Sequence, residues 1–473
     1  MTMTDDDELP TYATAITRNP LPLLFPYLPP SSIFPLLLTS KAHYNSLLPL
    51  LYDSPHTFFH LGSRTPFKSL LLFLRTLSTT PHPIPWTRHL SLRTTSPNLY
   101  SHLPPTWLHD LLTQLPNLET LDLGNFPLLD HTALHSITTP HQTLHTLNLS
   151  SITTLTSPAL SHLLLHLPSL RDLNLSSTPS AASPTVFTAL SNLRYLDTLA
   201  LQNLELTCTT PGFLSLLQTK GTSLRSLDLR RNLLTAPLIG TLTAFCVAPP
   251  AYDGALENEP VERGLTHLRI CGNALGAEAV GGVVRTGRLV TLDVGRQYGG
   301  GEREMVQMGI QLVPVLAVYA FSTLRTLRIQ ANAVMVEGGM KRGVLRRLET
   351  LVLCDTPYWA PGDQTARLVT FLCPDTDPRD RVKVVELEMA GEEGEGSTGG
   401  GGAGGFSFFD DEDVQEEREE RMEMLEEVRK ARRLEAGRGG ERIRVRVVRD
   451  LAGGEGREVG CEGERWGVVR EGV

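Results

Sequence analysis

The sequence lacks the features that define several large classes of protein. None of its six cysteines has a CxxC spacing, so neither a zinc site of that kind nor a disulfide framework is expected. No apolar run of about 18 residues is free of prolines and charges, which predicts no transmembrane helix. The acidic start, MTMTDDDELP, lacks the order of a secretory signal. We therefore expect a cytoplasmic or nuclear protein with reduced cysteines.

The sequence also lacks an excess of basic residues and any recognisable catalytic motif. Its net charge is −9, which argues against a general nucleic-acid binder. The sequence contains no convincing match to the common catalytic and ligand-binding motifs. The motifs considered are nucleophile elbows, HExxH, phosphate loops, dinucleotide fingerprints and paired His/Cys ligands. We predict no catalytic residue, metal or cofactor, and we expect protein partners and neither nucleic acid nor a membrane.

What the sequence contains instead is a repeat. LHTLNLSS at Leu144 returns as LRDLNLSS at Leu170, 26 residues later. The underlying pattern is LxxLxL, and successive copies lie 26, 26, 26, 28, 41, 24, 35, 24 and 36 residues apart. The copies begin at Leu118, Leu144, Leu170, Leu196, Leu224, Leu265, Leu289, Leu324, Leu348 and, more weakly, Val384, and a degenerate copy is expected at His89–Leu92.

Each copy predicts a strand, and the stretch that follows often predicts a helix. The last two leucines of LxxLxL alternate with a polar residue, which is the period of a strand with one buried face. The following stretch SPALSHLLLHLPSL has helical spacing, with Ser157 as the expected N-cap and Pro158 at the first helical position. Such units bury their leucines only by stacking, with the strands in a parallel sheet.

The stretches LRSLDLRRN, LTHLRICGN and LRTLRIQAN resemble the leucine-rich repeat family over roughly Trp86 to Met389. The resemblance implies an α/β solenoid, a horseshoe with the parallel sheet on its concave face. It also implies that Asn232, Asn273 and Asn332 hydrogen-bond backbone groups where the chain leaves each strand.

A binding surface is expected on the concave face, where outward residues align from repeat to repeat. This face is neutral to acidic in its first half and gains arginines in its second half. Mixed charge favours a protein or peptide ligand over a nucleic-acid backbone. The candidate partner-binding residues are Asp122, Asp172, Asp228, Arg230, Arg269, Asp293 and Arg328.

Composition divides the chain into five parts. We expect a disordered N-terminus over 1–18, a helical region over 19–85 and the solenoid over 86–390, with insertions near 248–264 and 295–304. A Gly-rich flexible linker is expected over 391–409. The last part, 410–473, is expected to hold a charged helix over Asp410 to Ala436 and a strand, IRVRVV, that caps the array.

The N-terminal stretch YLPPSSIFPLLLTSKAHYNSLLPLLY resembles an F-box, with Ser31 and Ser32 as expected caps. An F-box grips the Skp adaptor of a cullin-RING ubiquitin ligase. The resemblance implies an adaptor-binding surface, with these residues on or beneath it: Leu28, Pro29, Ile33, Leu37 and Leu38. The alternative is a helical cap that covers the first repeat.

Three functions remain open from the sequence. The first is a non-enzymatic substrate receptor of an SCF-type ubiquitin ligase, with a Skp-type adaptor and an unknown cargo protein as partners. The second is an interaction scaffold without a link to a ligase. The third is a small-GTPase regulator similar to the Ran GTPase-activating family, which also combines such repeats with an acidic tail.

Overall fold

The chain divides into two units, Met1–Leu196 and Asp197–Val473. The computed structural model describes residues 24, 27–28, 30–58, 66–79, 84–93, 106–126, 129, 131–247, 264–297, 302–335, 337, 339–341, 344–356, 364, 366–368, 371, 382, 384–389, 444–449 and 457–459. The expected disordered N-terminus, the Gly-rich linker and the charged helix lie outside these residues.

The first unit alternates helices with short parallel strands. Its described helices are α1 (Pro30–Leu37), α2 (Lys41–Asp53), α3 (Pro66–Thr79), α4 (Trp107–Gln114), α5 (His131–His135), α6 (Ser157–Leu165) and α7 (Pro184–Asn192), with 3₁₀ turns at Pro55–Phe58 and Pro179–Ala181. Its strands are β1 (His89–Ser91), β2 (Thr120–Asp122), β3 (Thr146–Asn148) and β4 (Asp172–Asn174). Consecutive strands pair in parallel.

Register in the first unit places leucine against leucine. Leu90, Leu121, Leu147 and Leu173 are paired partners on adjacent strands, and each is 1–2% exposed. Each buried leucine contributes roughly 1.5–3 kcal/mol relative to exposure. A shift of one residue would turn these side chains to the other face of the strands, so the leucines fix the register.

The second unit repeats this arrangement with longer connections. Its strands are β5 (Thr198–Ala200), β6 (Ser226–Asp228), β7 (His267–Arg269), β8 (Thr291–Asp293), β9 (Thr326–Gln330), β10 (Thr350–Thr356), β11 (Val384–Met389), β12 (Arg444–Arg449) and β13 (Arg457–Val459). The described helices are α8 (Phe213–Lys220), α9 (Pro237–Thr241), which continues as a π-helix over Leu242–Val247, α10 (Ala277–Val284), α11 (Glu302–Tyr319) and α12 (Asn332–Met335).

Strands β5 to β12 of the second unit pair in parallel, and β13 runs antiparallel to β12. The strand expected at IRVRVV is β12. The insertion expected over 295–304 is helical from Glu302 onward, and residues 248–263 lie outside the described part. The predicted fold class, an α/β leucine-rich repeat solenoid with a parallel sheet, is confirmed.

Strands β2 to β7 each end in a recurrent tight turn. A residue with positive φ stands two positions after the last motif leucine or its equivalent, and only Gly272 among these is a glycine: Asn125, Ser151, Ser177, Asn203, Arg231 and Gly272. The residue that follows is buried in every case. The left-handed residue redirects the chain off the strand so that its neighbour points into the core.

Asn232 is buried in such a turn and satisfies its backbone. Its Nδ2 donates to Leu201 O at 2.8 Å and Leu229 O at 3.0 Å. Its Oδ1 accepts from the amides of Leu204 and Leu206 at 3.0 and 3.1 Å. The predicted role of this asparagine is confirmed.

Asn273 repeats the arrangement, donating to Leu229 O and Ile270 O, each at 2.9 Å. In the next repeat Gln297 takes the position, and its Nε2 donates to Ile270 O at 3.2 Å. Asn332 does not belong to this ladder, so its prediction is wrong. It begins α12, and its buried Oδ1 has no hydrogen-bond partner among the described residues.

Two expected helix caps are displaced. The N-cap of α6 is Thr156, with extended φ and ψ of −103° and 150°, so Ser157 is already helical and donates instead to Ser180 O at 2.8 Å. Helix α1 begins at Pro30, which places Ser31 and Ser32 inside it.

Candidate functional site

The strand face opposite the leucines carries an Asp or Asn at one recurring position. This side chain accepts a hydrogen bond from the amide two residues later, which closes a local turn after the strand. The acidic character of this row is therefore partly a requirement of the turn. The residues that do this are Asp122, Asn148, Asn174, Asp228 and Asp293, at distances of 2.9, 3.0, 3.0, 3.2 and 3.2 Å.

Among the described residues of the first unit, the two predicted site residues make polar contacts only with their own turn and with adjacent strands. Asp122 Oδ1 accepts from Asn148 Nδ2 at 2.8 Å across adjacent strands. Asp172 Oδ2 accepts from Thr146 Oγ1 at 3.1 Å. Gly124 leaves room for the first contact, because a Cβ there would lie 2.9 Å from Asn148 Nδ2. Neither aspartate meets an arginine among the described ion pairs.

The second unit brings the other five predicted residues into one network, which we name the Arg–Asp patch: Asp228, Arg230, Arg269, Asp293 and Arg328. It spans β6 to β9, and register places Asp228, Arg269, Asp293 and Arg328 side by side on consecutive strands. The same position is Ala200 on β5 and Val352 on β10. The patch is thus bounded on both sides by apolar residues.

Asp228 is the more heavily bonded carboxylate of the patch. Arg230 grips it through Nε at 3.0 Å and Nη2 at 2.9 Å, a charge-assisted two-point contact. Gln202 donates to Oδ2 at 2.7 Å. Arg269 reaches the same oxygen from β7 at 3.5 Å.

Asp293 is the second carboxylate of the patch. Arg328 donates to its Oδ1 at 3.0 Å, and the same Nη1 lies 3.1 Å from Cys271 Sγ. Arg230 Nη1 lies 3.7 Å from Asp293 Oδ2, so one guanidinium bridges both carboxylates. Gly295 makes this packing possible, because a Cβ there would lie 2.7 Å from Arg328 Nη1.

Electrostatics in the patch follow from unequal burial. The side chains of both aspartates are 6% exposed, whereas Arg230, Arg269 and Arg328 are 29%, 49% and 23% exposed. Burial alone would lower the pKa of Arg230, but hydrogen bonding and the charges of Asp228 and Asp293 raise it. Burial, and then the charge of Asp293, raises the pKa of the Cys271 thiol to about 12. This cysteine stays protonated, and the cationic groups form the accessible part of the patch.

Sequence reasoning missed three members of this environment: Gln202, Cys271 and Gly295. Each lies two residues after the recurring Asp or Asn position of its strand. Side chains two residues apart share a face of a strand, so this spacing could have indicated them. Cysteine and glycine carry no charge, and nothing in the pattern marked them as contacts of an arginine from another strand.

The predicted adaptor-binding residues divide between a core and a surface. Ile33 and Leu37 are buried with Leu47, and Leu28 packs against them. Leu38 is 86% exposed. Pro29 lies outside the described residues. Tyr27 and Tyr44 of the same segment are 85% and 44% exposed.

Helix α2 also contacts the first strand region. The amide of Arg88 donates to Asp53 O at 3.0 Å. The Tyr52 and Trp86 rings lie 6.4 Å apart. The helical region therefore covers the beginning of the repeats, as a cap would.

Within the described part of the chain, no group of three or more His, Cys, Asp and Glu side chains is arranged to hold a metal ion. No helix there is sufficiently long and apolar to span a membrane. Cys208, Cys246, Cys271 and Cys354 are free thiols.

Comparison with known proteins finds similar solved structures but no matching sequence family. No protein-family model and no curated protein matches it. It is similar to a structure in the yeast Rad7 and Elc1 complex, with 18% identity and a TM-score of 0.45, over 80% of this chain and 94% of that chain. It is also similar to an internalin from Listeria monocytogenes, with 16% identity and a TM-score of 0.29, over 64% and 74% of the two chains. The fold class rests on the strands, turns and buried leucines of this chain itself.

Proposed function

We propose that the protein is a non-enzymatic interaction module that acts as the substrate-recognition subunit of an SCF-type ubiquitin ligase. In this proposal the N-terminal helices hold a Skp-type adaptor and the strand face holds a cargo protein. The cytoplasm or nucleus is the expected location, because the free thiols Cys208, Cys246, Cys271 and Cys354 suit a reducing compartment.

One observation carries the adaptor side of this proposal. Helices α1 and α2 form their own small core around Ile33, Leu37 and Leu47, yet Leu38 directly after α1 stands 86% exposed. A helical pair that buries its core while it presents a leucine to solvent suits docking of a partner. It agrees with the F-box resemblance of this segment.

Substitution of Leu38 tests the adaptor proposal. Leu38→Asp places a charge in the proposed contact, where a desolvated carboxylate is unfavourable, so capture of a purified Skp-type adaptor should fall by about tenfold or more. The melting temperature should stay unchanged, because Leu38 contributes little to the core. Adaptor capture would be measured by pull-down and by biolayer interferometry.

Leu165→Asp is the matched control. Leu165 ends α6 and is 60% exposed, so the same chemical change is made on a helix that the proposal leaves without a partner. This variant should retain adaptor binding. Equal capture by wild type and Leu38→Asp, or equal loss in both variants, contradicts the proposal.

A second candidate function is a repeat scaffold whose N-terminal helices serve only as a cap. The contacts of Asp53 with Arg88 and of Tyr52 with Trp86 favour it. Under this alternative the wild-type protein captures no adaptor at all, whereas Trp86→Ala lowers the unfolding temperature. The adaptor measurement therefore separates the two functions.

A further inference from the structure

We propose that the Arg–Asp patch binds an acidic segment of the partner protein, one that carries consecutive Asp or Glu side chains. This inference deepens the proposed function, on which it rests, because it assigns a chemistry to the cargo. The overall charge of −9 does not predict it. It arises from how the five charged groups of the patch are buried.

Charge complementarity carries the first step. The patch holds three guanidinium groups and two carboxylates, and the two carboxylates are almost fully covered at 6% exposure. An approaching partner therefore meets the arginines, above all Arg269 at 49% exposure. The carboxylates act from below as anchors that hold the guanidinium planes in place.

Unused hydrogen-bond capacity carries the second step. A guanidinium has five N–H donors. Among the described residues, Arg269 engages one Nη1 group, and that contact to Asp228 is long at 3.5 Å. The acceptor oxygen already receives Gln202 at 2.7 Å and Arg230 at 2.9 Å. Arg269 thus keeps donors for a carboxylate supplied by a partner.

The extent of the patch selects the class of ligand. It covers four strands, β6 to β9, with Ala200 and Val352 at the flanking positions. Adjacent strands are about 4.8 Å apart, so the arginine-bearing strands span only about 15 Å. A nucleic-acid backbone needs a longer basic run. The buried Asp228 and Asp293 also oppose a dianionic phosphate more strongly than a single carboxylate.

Binding of a fluorescent octaglutamate peptide to the full-length protein tests the proposal at low ionic strength. Octaglutamine serves as the uncharged probe. Octaglutamate should bind with an affinity that weakens as salt is added, and octaglutamine should not bind. Arg269→Glu should weaken octaglutamate binding by about tenfold or more, since it replaces an exposed cation with an anion.

Arg285→Glu is the matched control, because Arg285 is exposed at the end of α10 and away from the strand face. It makes the same change in net charge and should leave octaglutamate binding within about twofold. Arg269→Gln provides a second variant that removes the cation without adding an anion. It should give an intermediate loss and keeps the test valid if Arg269→Glu does not fold.

Absence of octaglutamate binding, equal binding of octaglutamine, or equal loss in the Arg285 variant overturns the proposal. Tighter binding of a phosphoserine peptide or of single-stranded DNA than of octaglutamate also overturns it. Adaptor capture measured on the same variants separates this proposal from the proposed function. Arg269→Glu should keep the adaptor, and Leu38→Asp should keep the peptide.

Discussion

At the scale of single residues, the asparagine at one position of the repeat bonds the backbone in two repeats and not in a third. Asn232 and Asn273 hold the backbone of neighbouring turns together from inside the core. Asn332 stands at the same distance from its leucines and makes no such contact among the described residues. Strand β9 extends to Gln330, two residues further than β6 or β7, so the turn is no longer available when Asn332 is reached.

The two asparagines provide a matched pair of substitutions. Asn273→Ala should lower the free energy of unfolding by about 2 kcal/mol, because it leaves the buried amide of Leu234 without its acceptor and removes one of the two donors to the carbonyl oxygens of Leu229 and Ile270. Asn332→Ala should cost less than about 0.5 kcal/mol. Urea unfolding followed by circular dichroism measures both, and equal losses would show that position in the repeat alone sets the contribution.

The period of the sequence predicted which side chains share the strand face, and five of seven candidate residues meet in the Arg–Asp patch. Their pairing could not be predicted, because partners such as Arg328 and Asp293 are 35 residues apart in the chain. A contact of that kind depends on how far a side chain reaches across strands. The missing side chain of Gly295 leaves the space that Arg328 occupies. The sequence around a glycine does not indicate that an arginine from another strand will fill this space.

At the scale of elements, the helices were predicted better than their ends. Sequence pattern located helix α6 after β3, but Thr156 caps α6 one residue earlier than expected. In the N-terminal region the observed cap is Ser40, which precedes α2 and accepts from the amide of His43 at 3.0 Å, whereas the expected caps were Ser31 and Ser32. The N-cap is the last residue with extended φ and ψ before the helix. When several Ser or Thr residues are close together, the sequence alone does not show which of them takes this position.

Helix α2 should depend on that cap. Ser40→Ala removes the acceptor for one of the first amides of the helix and should lower the free energy of unfolding by about 1 kcal/mol. Ser32→Ala, inside α1, should have an effect below about 0.5 kcal/mol. Thermal unfolding of the full chain checks both, and a Ser32 variant as unstable as the Ser40 variant would refute the assignment.

At the scale of the whole molecule, buried and partly buried histidines link stability to pH. Burial lowers the pKa of His141, and the hydrogen bond from its ring to Leu115 O offsets this only in part. Burial also lowers the pKa of His56, His162 and His267. In the unfolded chain these rings have a pKa of about 6.5. The unfolded state therefore binds protons first as the pH falls.

Stability should consequently decline as the pH is lowered through about 6.5, and it should be fully present above that value. The urea midpoint of the wild type should be lower at pH 5 than at pH 7.5. His141→Gln should reduce this difference, because it removes one of the groups that must be buried uncharged. His131→Gln, at an exposed position, should leave the difference unchanged, and an equal effect in both variants would disprove the linkage.

The Arg–Asp patch has a consequence for the number of repeats. In a repeat array each unit contacts only its neighbours, so the effect of removing one unit can be considered by itself. Excision of the 24 residues from Leu265 to Arg288 would remove Arg269 and Cys271 and bring β8 beside β6. Asp228 and Asp293 would then lie on neighbouring strands, two shielded carboxylates that share two arginines, Arg230 and Arg328, instead of three. Deletion of this unit is thus expected to cost more stability than deletion of a unit outside residues 224 to 330.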